Sequence, residues 1–514
     1  MSAPRLAPRL VLAGAAGLSL ALALPGPALA PLVLVVPGLL RRAISGLSGR
    51  RSLVTGWFAG LVLWLAAVPW IVIVLHRFGG VPSVLAVLAL VLMAAVLGLT
   101  WAAACWAASR TPAYWRPWTI PLALTAMEVM QGIVPWNFPW NPVAAVVTPW
   151  PSLLGPLPVV GAAGLSFLVL LAGGALEALL APELRTVAAV QALVTGALFA
   201  ATTALAPGFV PAGGPLTVAA VQPDVPLLER WQPGNEGEIE ARVWRLSSEA
   251  VSSGAQWVVW PESAVSRLLE RDAAYRDEIT AFTRDHGVWM LLGSIGFDAE
   301  GEYYNSVYSV APAGLMPFRY DKVHLVPFGE YVPIVGRIAF LRPLVHEVGS
   351  FTPGRSTRPL PGPEGPVGVA VCYEVSFPSL VAAEVRHGAE MLATITNDGW
   401  YGDSAAPRQH LALAVLRAAE ARRYMIRAAN TGISAVIDPY GGELTRLGLG
   451  RKGFITAAVR PGRGITPAVA WEPWLRAAPV ALCLGAILFA ERRRRALRRV
   501  APGAGPSKRG NNAR

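Results

Sequence analysis

The sequence predicts two structural classes in one chain: a multi-pass α-helical membrane part, then an α/β domain. Three observations predict it. Hydrophobic residues make up 54% and charged residues 15% of 514 positions, with a mean hydropathy of +0.46, more apolar than an ordinary soluble chain. Long apolar segments recur from 10 to 206 and once more from 475 to 490. Between them, from 215 to 460, short apolar runs alternate with amphipathic stretches, the pattern of an α/β domain.

Taken in order, apolar stretches at 10–24, 28–40, 53–75, 81–108, 118–134, 157–181 and 186–206 give seven predicted spans. Residues 475–490 give a shorter eighth. The first could instead be a cleaved signal peptide, because Ala28-Leu29-Ala30 behind a Pro25-Gly26-Pro27 turn fits a peptidase site. A net charge of +12 would suit a nucleic-acid binder, but the arginines stand in short runs beside apolar segments. That is the pattern of membrane topology, and no nucleic acid is expected. Arginine-bearing loops at 41–51, 110–116 and 185, with RRRRALRR at 492–499, put both termini in the cytoplasm and residues 208–466 outside. The expected organisation is a seven-helix transmembrane domain (1–207), an extracytoplasmic domain (208–466), a last transmembrane helix (467–491) and a basic cytoplasmic tail (492–514). Glu128, inside the fifth span, is either a functional acid or a buried hydrogen-bond partner. Trp136, Trp140 and Trp150, in an outer loop holding the uncharged run PWNFPWNP, either cradle lipid or belong to an aromatic belt.

The α/β region opens with a strand, LTVAAVQ at 216–222, then a helix at 236–254, a strand QWVVW at 256–260, a helix at 276–287 and a strand at 288–297. A strand YNSVYSV follows at 304–310, then RYDKVHLVPFGEYVP at 319–333. VGVAVCYEV at 367–375 reads as a buried strand, since it is a short apolar run bounded by turn signals. A helix to Gly388 follows, then MLATIT at 391–396, a long helix over 408–430 and ISAVID at 433–438.

Chemistry gathers just past three of these strands. Cys372 stands where the strand at 367 ends and a helix soon begins, and the positive end of that helix would favour a thiolate. Glu262 follows the strand at 256, and Lys322 follows the one at 304. Active sites of α/β folds collect at such strand ends. A carboxylate can take the thiol proton, the thiolate attack a carbonyl, and the ammonium hold the oxyanion together with the Tyr373 N–H. Lysine occurs only at 322, 452 and 508, which marks Lys322 in a chain that otherwise uses arginine. Cys105 and Cys483 fall in apolar runs, so no disulfide framework is present. No His, Cys or Asp cluster has zinc spacing, and neither metal nor cofactor is expected. A Cys372 dyad with His324 or His410 is the weaker pairing.

WPES at 260–263, YDKVHLVPFGEYVP at 320–333, CYE at 372–374 and NDGWYGDS at 397–404 occur in that order. Together they resemble the nitrilase (carbon–nitrogen hydrolase) superfamily. The lysine segment and the apolar N-terminal half are similar to the apolipoprotein N-acyltransferases. The resemblance implies an αββα four-layer sandwich and a Glu262, Lys322, Cys372 triad. Glu330 and Glu374 would support it, the first or second orienting Lys322 or Glu262, against a reading as solvated loop carboxylates. Trp231, Asn305 and Trp400 would line the substrate pocket, against plain packing or turn roles. The implied reaction moves an acyl chain from a membrane phospholipid, through a thioester on Cys372, to the N-terminal amine of a diacylglyceryl-cysteine apolipoprotein. A monomer in the bacterial inner membrane with its active site in the periplasm is expected. The competing readings are a membrane-anchored amidase or nitrilase acting on a small carbon–nitrogen substrate, and an inert scaffold or transporter. The loop reads NFPWN where a GFPW-like motif is commoner in the family.

Overall fold

Helices fill the first two hundred residues of the computed structural model, which describes residues 6–24, 26–133, 137–230, 232, 234–327, 329–331 and 351–500. They are Ala7–Ala23, Val36–Ile44 behind a 3-10 segment Pro27–Val35, Gly49–Ala67, Trp70–Ile73, Ser83–Ser109, Arg116–Gln131, Leu157–Leu179 and Arg185–Ala204. Glu472–Val500 follows the α/β region. Among the described residues five helices are long and apolar enough to cross a membrane, or six if Gly49–Ala67 and Trp70–Phe78 form one bent span. The uninterrupted span expected over 53–75 is thus corrected to a pair meeting at 54°. Pro69 lies in the break, and a proline both lacks the N–H and crowds the preceding turn.

Small residues let these helices touch backbone to backbone, as membrane packing favours. A Cβ on Gly60 would lie 2.8 Å from the Cα of Gly98 across the pair Gly49–Ala67 and Ser83–Ser109. Gly17 packs the first helix against the Ala59 carbonyl, so that helix is part of the bundle.

Charged contacts mark the two ends of the bundle. Near one end of Leu157–Leu179, Glu177 pairs with Arg41 (2.5 Å) and Arg42 (3.2 Å). Arg110 pairs with Glu491 at 3.4 Å. Near the other end, the Ala162 N–H donates to Glu420 of the α/β region. Fifteen residues of helix, roughly 22 Å, separate these contacts.

The α/β region is two stacked sheets. One has the order Gly453–Val459, Leu216–Gln222, Trp257–Val259, Trp289–Phe297, Tyr303–Ala311, Gly314–Leu315, with Tyr320–Asp321 also on Tyr303–Ala311. Its first and last long strands in sequence, Leu216–Gln222 and Gly453–Val459, pair antiparallel along their whole length. The other sheet runs Glu443–Leu447, Ser434–Ile437, Met425–Ala429, Met391–Thr396, Val367–Val371. Alternate residues serve the two faces, as strand geometry demands. Val218, Val259, Leu291, Val369, Ala393 and Ile426 fill the space between the sheets. Val221, Val258 and Met290 pack outward on the helices Glu236–Ser252 and Ala273–His286. Ala370 and Leu392 pack outward on Pro378–Arg386 and Ala406–Ala421, in one apolar cluster continuous with the membrane helices. The layers are therefore helix, sheet, sheet, helix, the sandwich that the resemblance implied.

The helix expected over 408–430 ends at Ala421. Arg422 adopts a left-handed conformation (φ 51°) and closes it, and Met425–Ala429 is instead a strand, parallel to Met391–Thr396. A short apolar run between two elements does not by itself distinguish the two states.

Candidate active site

The nucleophile turn is the tightest piece of backbone in the region. Val367–Val371 is buried throughout, and Cys372 opens a 3-10 turn, Cys372–Ser376. Its φ of 53° lies in the left-handed region, which costs a non-glycine residue about 1–3 kcal/mol unless its surroundings impose it. Two anchors do so. The Cys372 carbonyl accepts from His410 Nε2 at 2.9 Å, and the Val371 N–H, just before it, donates to Glu374 Oε2 at 2.8 Å.

Glu374 is fully buried and ties the cysteine turn to the lysine segment. Oε1 accepts from the N–H groups of Val323 (2.6 Å) and His324 (2.9 Å), and Oε2 also from the Tyr320 hydroxyl (2.9 Å). Burial pushes its carboxyl up to about 7, against the pull of Lys322 and these donors. Its role is to hold two loops together, not to touch the reacting atoms.

Lys322 is buried, with Nζ 2.9 Å from Glu330 Oε1 and 3.7 Å from Glu262 Oε1. Burial alone would favour the neutral amine; Glu330 and Glu262 outweigh it and raise the lysine above its ordinary value, so it stays an ammonium. Asn305 spends its amide on two carboxylates, donating at 2.8 Å to both Glu262 and Glu330. It thus bridges the two acids. Glu262 Oε2 takes the Asn397 N–H at 3.1 Å, leaving Oε1 shared between Asn305 and Lys322.

Burial, reinforced by Glu262 and opposed by Lys322, pushes the Cys372 thiol up to about 12. The expected thiolate at a helix end is corrected: the cysteine begins a short 3-10 turn in a buried site and rests as a thiol. A base must therefore act at the moment of attack, and Glu262 is the carboxylate whose field reaches it most strongly. The second residue of a helical turn has no acceptor within the turn, which leaves the Tyr373 N–H available to an oxyanion. Among the described residues no three His, Cys, Asp or Glu side chains gather as a metal site.

Beneath the turn lies a wall of aromatic rings from both halves of the chain. Tyr373 donates its hydroxyl to the Asn137 carbonyl (2.8 Å) and stacks with Trp140 and Phe138. Trp140 is buried, so it is no belt residue. Its Nε1 donates to Gln409 Oε1 at 2.9 Å, as Trp70 Nε1 does at 3.3 Å, while Gln409 Nε2 donates to the Ala67 carbonyl. One glutamine thus caps the break at Pro69 from the α/β side. Trp150 is exposed, as is Trp400, which sits edge-on to Phe78 of the bundle. Trp231 and Trp136 lie outside the described residues. Glu128 takes up the structural alternative, accepting from the Val143 N–H and the Ser166 hydroxyl, each at 2.8 Å.

Sequence reading did not find two groups. Gln409 carried no motif. His410 was weighed as a partner for the Cys372 sulfur, yet it meets the carbonyl, with Nδ1 2.9 Å from Asp398 and Asp398 2.6 Å from Arg427. Burial would raise the Asp398 carboxyl, but Arg427 and His410 prevail and hold it at about 2. The NDGW run, one of the motifs that carry the resemblance, is the sequence signal of this cluster.

Comparison with known proteins adds the following. The carbon–nitrogen hydrolase family model matches residues 217–465, and the apolipoprotein N-acyltransferase N-terminal domain model matches 16–175. The chain is 32% identical to the apolipoprotein N-acyltransferase of Geobacter metallireducens, over 87% of this chain and 88% of that one. It is 34% identical to that of Azotobacter vinelandii, over 96% of both.

Proposed function

The chain belongs to the apolipoprotein N-acyltransferase family, and from that premise we propose that it moves an acyl chain from a membrane phospholipid to the N-terminal amine of a diacylglyceryl-cysteine apolipoprotein, in two half-reactions on Cys372. In the first, Glu262 takes the thiol proton as sulfur attacks the acyl ester carbonyl. Lys322 and the Tyr373 N–H stabilise the oxyanion, and Glu262 hands the proton it took from the thiol to the departing oxygen, so the lysophospholipid leaves as an alcohol and Glu262 is a carboxylate again. A thioester remains. In the second, the lipoprotein amine attacks that thioester, Glu262 accepts the amine proton, and the thiol is restored as the amide forms. Glu330 holds the Lys322 ammonium and Asn305 holds the Glu262 carboxylate in place. Because Glu262, Lys322 and Cys372 come from one chain, a single copy holds a complete site, and we take the working unit to be a monomer.

One observation carries the reading. The cysteine sits on the sheet whose helix layer is buried against the membrane bundle, with Tyr373 bonded to a bundle loop, so a substrate ester held at the bilayer surface is within the same structure as the thiol. A hydrolase for small soluble amides has no use for that seat, and the relatives matched over nearly the full chain are named as acyltransferases. The proposed orientation sets the α/β domain in the periplasm of an inner-membrane protein, with both termini cytoplasmic. Arg41, Arg42 and Arg110 pairing at the bundle end away from that domain supports it.

The test is intact mass of the purified full chain after incubation with phospholipid, with and without hydroxylamine. An acyl adduct that hydroxylamine removes, absent from Cys372→Ala, is expected. Acyl transfer by Cys372→Ala would end the proposal.

A further inference from the structure

Between the membrane helices and the α/β domain, away from the triad, lies a cavity of about 110 Å³. Its walls are mainly apolar, with Trp140, Phe377, Val381 and Leu475 among them. Five charged side chains also line it: Glu128 from Arg116–Gln131, Arg417 and Glu420 from Ala406–Ala421, and Glu472 and Arg476 from the start of the last helix. Arg417 is 98% buried, a fact that follows from its 2% exposure. It approaches Glu420 at 3.2 Å, yet its Nε and Nη1 have no hydrogen-bond acceptor. Glu472 lines the same cavity, and its Oε1 lies 3.1 Å from Arg476 Nε but makes no hydrogen bond. A buried guanidinium and a buried carboxylate left incomplete are costly, and both face the same space.

We propose that this cavity is a second lipid site, taking the zwitterionic head group of a phospholipid, with its phosphate on Arg417 and a primary ammonium on Glu472. The charges argue for a zwitterion: two arginines stand among three glutamates, so a bare anion would meet more repulsion than attraction. The missing partner of Glu472 Oε1 is a hydrogen-bond donor, which a primary ammonium has and a quaternary one lacks. Size agrees: at about 10–15 Å³ per water-sized position the cavity has room for roughly eight atoms, the size of a phosphoethanolamine group. Depth agrees as well. Trp471 and Trp474, at the start of the same last helix, are exposed by 60% and 77%, as residues at head-group level are. This site is distinct from the donor position at Cys372 and does not depend on the reaction proposed above. Its occupant would brace the last helix against the layer that carries the cysteine.

The full chain, purified in mild detergent, is exchanged with equal amounts of dioleoyl phosphatidylethanolamine, phosphatidylcholine and phosphatidylglycerol and read by native mass spectrometry. Cys372 is first capped with iodoacetamide, so that no acyl adduct forms. The expected result is one retained lipid with the ethanolamine head group preferred. Arg417→Met should lower that occupancy about tenfold or more, the loss of a charge-assisted contact. Glu472→Gln should keep the lipid but erase the preference over phosphatidylcholine. Both variants should elute as one monodisperse species on size exclusion and unfold cooperatively on heating, which reports that they fold; if Arg417→Met does not, Glu472→Gln alone decides. Equal occupancy in Arg417→Met, an unchanged preference in Glu472→Gln, displacement of the lipid by inorganic phosphate, or no retained lipid beyond ordered water would each overturn the proposal.

Discussion

The two helix layers of the sandwich have the same place in the fold and opposite surroundings. Of the seventeen residues in Glu236–Ser252, five are buried, a single apolar stripe with its charges in water, as an outer helix requires. In Ala406–Ala421 every residue except Arg408 is buried. A helix enclosed on all sides needs a second partner, and here it is the bundle. The contrast extends to the chemistry. Glu262 and Lys322 follow strands of the sheet whose helices face water, whereas Cys372 ends a strand of the sheet seated on the membrane helices. In the proposed mechanism, proton handling is thus built on one half of the domain, and the nucleophile on the half that the membrane part braces.

Substitutions can break that division or sharpen it. Glu262→Gln removes the base from the water-facing half. Thioester formation on Cys372, followed by intact mass in a single turnover, should slow by about 10²–10⁴ with thermal stability nearly unchanged; an undiminished rate would dissolve the division. Asp398→Asn acts on the braced half. It leaves Arg427 buried without its counter-charge, which should cost about 3–5 kcal/mol in thermal or denaturant unfolding. The same pair sets an acid limit. Because the folded Asp398 carboxyl is held down at about 2, its stabilisation of about 2 kcal/mol is present above pH 4 and lost as pH falls through 2. The Asn variant should lack that acid-dependent part. Gln409→Leu strands two tryptophan N–H groups and the Ala67 carbonyl, and should lower stability by about 1–3 kcal/mol. Limited proteolysis near the break at Pro69 should speed up, and unchanged cleavage would mean that the bundle holds the bend unaided. Tyr373→Phe gives the smallest effect. Losing one neutral hydrogen bond to Asn137 costs about 0.5–1.5 kcal/mol, and thioester formation should persist because the backbone N–H remains.

The proposed triad could be read from sequence because each member stands just past an apolar strand, in a segment whose pattern survives without its neighbours. The seat on the membrane helices could not. Gln409 serves residues more than 250 positions away, and a polar side chain in an alanine-rich helix carries no sign of that. Glu374 reads in sequence as a support for the triad, but not how: three of its four donors lie 50 or more residues upstream, brought near only when the two sheets close. Asn305 and His410 were noticed, but whether an amide meets a substrate or an acid, or an imidazole a sulfur or a carbonyl, depends on distances of an ångström or two. Pro69 was a visible breaker inside a strongly apolar stretch, and the apolar pattern outweighed it. The strand at Met425–Ala429 was absorbed into the helix before it because Arg422, which ends that helix, has none of the usual stop character.

The antiparallel pairing of Leu216–Gln222 with Gly453–Val459 has a consequence for biogenesis. At about 5–20 residues per second the first strand waits roughly 10–50 s for its neighbour to be made. Until then one edge of its sheet has no partner strand and, under the proposed topology, has already crossed the membrane. The helices before residue 205 are made by then, so Ala406–Ala421 can dock on them as soon as it emerges, while the water-facing sheet stays open. The enzyme would pass through a nascent form with its nucleophile layer already seated and an unpaired strand edge exposed, the stage at which capture by an export chaperone matters most.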